Sequence, residues 1–224
     1  MRKRGLIDMP LPDHRLIAVE GLPGSGHTEF AAWIGSQPEW YAELEESTDH
    51  LPDIERSPLS YVLQRLIGRY ERHRSLVDAD LFRHRIVTDY TFATHALWAQ
   101  CILSDHEWAL YQKVAVAVVP PTVRPDLVVY FQAPERQVSA ILRQRHKGIE
   151  LDRWLELCRA YQRHFFAYED SPLLVVRTDG AQWFDGIGPR EALWKRIMTY
   201  PGGKTYFVGE SGLWDGGTPA DDGC

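Results

Sequence analysis

The chain has 224 residues, 44% of them hydrophobic and 25% charged, which suits one well-filled core plus an appendage and excludes wholesale disorder. Lys plus Arg totals 25 against 31 Asp plus Glu, a net charge of -6, which argues against a general nucleic-acid binder, because that function calls for a basic surface. Cys101, Cys158 and Cys224 are too scattered for a disulfide framework or a metal set, Pro10 and Pro12 interrupt any signal-peptide core, and the longest apolar run, Val114 to Val119, falls far short of the ~20 residues that span a bilayer. The expected setting is soluble, reducing and cytoplasmic.

In chain order, Leu16 to Glu20 reads as a strand that runs into the glycine-rich stretch Gly21 to Gly26, with a helix expected from His27 to Ser36. Trp40 to Glu46 is a weaker strand. Leu59, Val62, Leu63, Leu66, Ile67 and Tyr70 fall on one helical face, the clearest amphipathic pattern of the chain. Ile86 to Tyr90 reads as a strand. Ser104 and Glu107 have capping-box spacing, which starts a helix running toward Val119, where Pro120 and Pro121 end it. Asp126 to Gln132 is a nearly continuous apolar run, as expected of a strand buried on both faces. Helices follow over Glu135 to Arg145 and over the stretch that carries Leu151, Trp154, Leu155, Cys158, Tyr161 and Phe165. Leu173 to Val176 is the last predicted strand, and Pro189 at a first helical position opens a final helix to Thr199.

Strands separated by helical stretches predict an α/β fold, a parallel five-stranded sheet flanked by helices. The organisation expected is an N-terminal extension over 1–13, one domain over 14–199 and a tail over 200–224. From Pro201 the chain holds seven glycines, two prolines and the aromatics Tyr206, Phe207 and Trp214. Glycine-rich termini are commonly frayed, but aromatics are also interface anchors, so the tail is a candidate docking arm for a protein partner.

Gly21-Leu22-Pro23-Gly24-Ser25-Gly26-His27-Thr28 occupies the strand-to-helix position of a P-loop, G-x-x-x-x-G-K-[ST]. Its glycines let backbone N–H groups turn inward toward an anion at a helix N-terminus. Thr28 supplies the hydroxyl that suits Mg²⁺. The departure is His27, where the motif demands lysine. Histidine is shorter and mostly neutral near pH 7, and loss of one preorganised donor to a transition state costs about 3–4 kcal/mol.

The run RLIAVEGLPGSGHTEFA resembles the opening of the deoxynucleoside kinases, and three later segments extend the resemblance. They are IVTDYTFATHALWAQ, PDLVVYFQAPERQVSAILRQR and GIELDRWLELCRAYQRHFFAYEDSPLLVVRTD. Their order and spacing match that family, in particular its bacterial deoxyadenosine and deoxyguanosine kinases, from Leu16 to Asp179. The resemblance implies a P-loop NTPase-like fold, ATP and Mg²⁺ as cofactors and a nucleotide or deoxynucleoside as ligand, with homodimers known in the family. It implies phosphate binding by Gly21, Gly24, Ser25, Gly26, His27 and Thr28, and Mg²⁺ held by Thr28 and Asp89. Glu45 or Glu46 matches the region of the general base, Arg69 an arginine facing the nucleoside, and Arg143 and Arg145 the lid arginines.

The departures from the family pattern concentrate at the same site. Six residues beyond Asp89, where the family has a carboxylate, stands His95, and the following arginine is Ala96. The glutamine that reads the base has Ser60 and Gln64 as its nearest counterparts, with Gln64 out of register. Together with His27 these changes imply a protein that has lost efficient phosphoryl transfer and serves as a nucleotide-binding or structural accessory subunit. An accessory subunit of mitochondrial respiratory complex I resembles the same kinases. The alternative is an active kinase of the 5′-hydroxyl of a purine deoxynucleoside, with Lys147 or a protonated His27 replacing the missing lysine.

Overall fold

The computed structural model describes residues 14–45, 54, 56–78, 85–118, 124–135, 151–178, 187–200 and 202–208. Their strands are β1 (Leu16–Gly21), β2 (Trp40–Glu43), β3 (Arg85–Thr88), β4 (Leu127–Gln132), β5 (Leu173–Arg177) and β6 (Lys204–Val208). The helices are α1 (His27–Gly35), α2 (Pro58–Asp78), α3 (Phe92–Ile102), α4 (Asp105–Val118), α5 (Leu151–Phe166) and α6 (Ile187–Met198).

All six strands join one parallel sheet in the order β2-β3-β1-β4-β5-β6. β1 lies between β3 and β4, so the direction of winding reverses at its carboxyl end, the place where open α/β sheets bind ligands. Alternation along the strands builds two cores. Ile17 and Val19 of β1, with Leu127, Val129 and Phe131 of β4, face Phe30 and Ile34 of α1 and Leu193 and Ile197 of α6. Ala18, Val128, Tyr130 and Val175 face α2, α3, α4 and α5, through Leu66, Trp98, Tyr111, Leu157 and Tyr161 among others. Residues on adjacent positions of one strand thus enter opposite layers, as the two-residue period requires.

The sheet has six strands where the sequence predicts five. The sixth comes from residues 204–208, assigned above to the tail, and β6 pairs in parallel with β5 over Leu173↔Lys204 to Arg177↔Val208. Phe207 packs against the α1–α6 core, while Tyr206 on the other face is half-exposed. Residues 209–224, with Trp214 and Cys224, lie outside the described residues, as do 1–13 and most of the helix expected over Glu135 to Arg145. α6 begins two residues before Pro189, which therefore sits within its first turn rather than opening it. The predicted capping box is present as drawn: Ser104 N–H and Oγ–H donate to Glu107 Oε2 at 3.0 and 2.7 Å.

Candidate nucleotide and acceptor site

The phosphate loop takes its shape from glycine. Gly24 and Gly26 have φ of 81° and 88°, the left-handed region, and Gly26 is the N-cap of α1. At Gly21 the constraint is space: a Cβ there meets Ser25 Oγ at 2.2 Å, because the loop folds back over the end of β1. Ser25 N–H donates to the Leu22 carbonyl at 2.9 Å, and the chain enters the helix with Phe30 N–H donating to Gly26 O. Helix N-terminus and inward-turned amides make an anion cradle whatever residue stands at 27.

His27 lies half-buried on this loop. Its Nδ1 is 3.0 Å from Ser25 Oγ and its Nε2 3.4 Å from Thr28 Oγ1. Burial holds the imidazole pKa below its ordinary value, although Asp89, Glu29 and Glu45 oppose the shift. At neutral pH the position that a P-loop fills with a fixed cation carries an uncharged ring.

β2 and β3 run parallel with Glu43 opposite Thr88, so the residues just past both strands emerge side by side at the carboxyl edge. Asp89, buried, joins the two halves of the site. Its Oδ2 accepts the Thr28 hydroxyl at 2.8 Å, and its Oδ1 accepts Glu45 N–H at 2.8 Å. Thr28 and Asp89 are hard oxygen donors, and Mg²⁺ is typically held by one or two such protein ligands together with substrate phosphates. Among the described residues no cluster of three or more His, Cys, Asp or Glu offers an all-protein metal site, so these two are the residues that could hold the ion.

Glu45 is the centre of the second half of the site. Arg69 Nε donates to its Oε1 at 2.7 Å and Arg69 Nη2 to its Oε2 at 3.3 Å, while Arg65 Nη2 pairs with the same Oε2. Burial by itself raises a carboxyl pKa, yet the two guanidiniums hold Glu45 well below the usual carboxylate range. Arg69 is 3% exposed, and the Glu45 carboxylate raises its pKa despite burial. Its Nη1 also donates to the Thr91 carbonyl, and its guanidinium lies over the Tyr90 ring at 5.2 Å.

Behind Arg69, Thr94 Oγ1 lies 2.8 Å from Glu20 Oε1. Glu20 is the last residue before the phosphate loop, buried on the α2–α5 side of β1, and burial pushes its carboxyl up to about 7. His95 is buried one residue further along α3, with Nδ1 2.9 Å from the phenolic oxygen of Tyr111. Burial, with Arg69 and Arg65 nearby, keeps it neutral.

The structure therefore brings Gly21, Gly24, Ser25, Gly26, His27, Thr28, Asp89, Glu45 and Arg69 to one edge of the sheet, with His95 in the layer behind. Gln64 is exposed on α2, so the base-reading position expected of it faces solvent. Glu46, Arg143, Arg145 and Lys147 lie outside the described residues. Two residues that sequence reading passed over belong to the cluster. Arg65 precedes Arg69 by one helical turn, a spacing that puts both on one face. Glu20 was signalled by a charged residue at an inward position of an apolar strand.

A parallel sheet with a glycine loop at the end of β1, a threonine–aspartate pair and a half-buried carboxylate held by arginine is the arrangement of a P-loop nucleotide-binding fold. The model of the deoxynucleoside kinase family matches residues 17–197, and the chain belongs to that family. No curated protein sequence matches it. Among solved structures it is similar to deoxyadenosine kinase from M. mycoides. With bound dATP, that enzyme aligns at 16% identity and TM-score 0.63, covering 81% of this chain and 98% of that one. With products dCMP and a flexible dCDP bound, it aligns at 16% identity and TM-score 0.67 with the same coverage. At this identity the likeness establishes the fold. No helix among the described residues is long and apolar enough to cross a membrane.

Proposed function

We propose that this protein binds Mg-ATP at the glycine loop and a deoxynucleoside-type ligand on the Glu45–Arg69 side, and that it transfers the phosphoryl group slowly. The observation that carries this reading is the neutral, half-buried His27 at the lysine position. Phosphoryl transfer depends on positioned charge rather than covalent chemistry, so an uncharged ring there removes a main source of rate while the backbone cradle still favours anions. In this reading Thr28 and Asp89 are the oxygen donors for Mg²⁺ and Glu45 meets the acceptor, supported by the Asp89 bonds to Thr28 and to the Glu45 N–H.

An active kinase is the second reading, and one observation favours it. Asp89 ties Thr28 to the Glu45 backbone, which keeps the metal and base positions assembled. Phosphorylated product from deoxyadenosine, deoxyguanosine and deoxycytidine with Mg-ATP separates the two. Slow transfer predicts turnover far below the ~1–100 s⁻¹ usual for kinases; turnover inside that range overturns it.

The accessory-subunit role rests on the C-terminal segment. Because 204–208 form a strand of the sheet, the arm available for docking shortens to 209–224. Deleting 209–224 leaves the fold stable and abolishes association with a partner if the role is right; undiminished association rejects it.

A further inference from the structure

Both ends of the glycine loop are tied to Glu45 through side chains. From the far end, Thr28 donates to Asp89 Oδ2, and Asp89 Oδ1 accepts the Glu45 N–H. A second chain of bonds starts at the near end. Glu20, the residue before Gly21, accepts the Thr94 hydroxyl at 2.8 Å. Thr94 Oγ1 in turn accepts from Arg69 Nη1 at 3.4 Å, and Arg69 donates to both oxygens of Glu45. The first chain fixes the Glu45 backbone and the second its carboxylate.

The second chain is buried up to Arg69: Glu20 is 2% exposed, Thr94 0% and Arg69 3%. Glu20 occupies an inward position of β1, opposite Tyr130 of β4 and on the face of Ala18, where an apolar residue would avoid the cost of burying a carboxyl. Thr94 shows what the carboxyl does there. A threonine has one hydroxyl proton, and two acceptors lie within its reach, Glu20 Oε1 at 2.8 Å and the Thr91 carbonyl, three residues back, at 3.0 Å. The same Thr91 carbonyl accepts Arg69 Nη1. With Glu20 present the proton turns to the carboxyl, which leaves the carbonyl and the Oγ1 lone pairs to Arg69. Without Glu20 the hydroxyl bonds back to its own first turn and shares that carbonyl with Arg69, which loosens the guanidinium that holds Glu45.

From these two chains we infer that Glu20 is a positioning residue for phosphoryl transfer: through Thr94 and Arg69 it sets the Glu45 carboxylate against the loop that Glu20 itself precedes. The inference rests on the reading of Glu45 as the group that meets the acceptor, and adds the residue that holds it in place.

Steady-state transfer from Mg-ATP to deoxyadenosine tests it in Glu20→Leu, Thr94→Val, the double variant and Glu20→Gln. The expected result is a fall in kcat of about ten- to a hundredfold in each of the first two, with KM for Mg-ATP within about twofold of wild type because the backbone cradle is untouched. The double variant falls no further than the lower of the two, since both changes break one chain. Glu20→Gln keeps an oxygen for the Thr94 proton and holds kcat within about threefold of wild type. Unchanged kcat in Glu20→Leu or in Thr94→Val overturns the inference. Additive losses in the double variant overturn it too, as does a loss in Glu20→Gln equal to that in Glu20→Leu. Thr94→Val, which keeps the side-chain shape, decides if Glu20→Leu fails to fold. A wild type that forms no product, or a Glu45→Gln variant as active as wild type, overturns the acceptor reading itself, an outcome distinct from the others.

Discussion

The glycine loop and the Glu45 cluster sit at the same edge of the sheet but are held together in opposite ways. The loop keeps its backbone, with the left-handed Gly24 and Gly26 and the fold-back over Gly21, and lacks a charge at His27. The Glu45 cluster is held instead by side-chain charge, its carboxylate paired with Arg65 and Arg69. Affinity for an anion built into the main chain survives side-chain substitution, because amides and a helix terminus supply it. Rate and selectivity are set by side chains, and a single exchange changes them. Asp89 bonds to both regions, so a change in charge on one side is felt through one shared carboxylate.

Breaking the Glu45 cluster carries the largest expected effect. Arg69→Ala leaves the half-buried Glu45 with only Arg65 for a side-chain partner and removes the donor to the Thr91 carbonyl. A loss of about 3–5 kcal/mol is expected for a broken buried pair, measured by urea denaturation. His27→Ala in the loop, by contrast, is expected to leave stability within about 1 kcal/mol of wild type. Equal losses at the two positions erase the distinction between a charge-held cluster and a backbone-held loop.

The junction between the regions carries the next effect. Glu20 has its folded pKa raised to about 7 from 4.5, so the native state holds a proton that the unfolded chain releases. The stabilisation is fully present below the unfolded value and is lost as pH rises through about 7, a change of about 3 kcal/mol. His27 and His95, with lowered values, act in the opposite direction as pH falls below their ordinary range. The difference between wild type and Glu20→Gln cancels those two and isolates Glu20. Relative to the glutamine variant, wild type loses stability between pH 5 and pH 8 in denaturation titrations; a flat difference contradicts the assignment.

A smaller effect marks ground outside both regions. Ser104→Ala removes the capping box at the start of α4, for about 1 kcal/mol. Because α4 carries Tyr111, the partner of His95, ligand affinity measured alongside shows whether the Glu45 cluster depends on that helix end. Unchanged affinity confines the effect to stability.

Much of the scaffold was legible because its signals are local. β1 and β4 are apolar runs buried on both faces, α2 shows its stripe, and Ser104 and Glu107 carry a cap in four residues. α3 lacked such a signal, since it packs between other helices and is apolar on most sides, which erases periodicity. β6 was hidden by glycines on either side and exists through its pairing with β5, a contact that local composition does not encode. At the site, His27, Thr28 and Asp89 could be read from motif position. Arg65 could not, because its importance comes from meeting Glu45, a residue on a different element 20 positions away in the chain. Gln64, chosen by proximity in sequence, faces outward because the next residue along a helix turns by about 100°.

The central claim is that His27, and not the acceptor side, limits phosphoryl transfer. Its most direct test compares wild type with His27→Lys at saturating Mg-ATP, with deoxyadenosine offered as acceptor. The account predicts a rise of roughly a hundred- to a thousandfold when the fixed cation is restored. No rise, or a wild-type rate already in the ordinary kinase range, contradicts it.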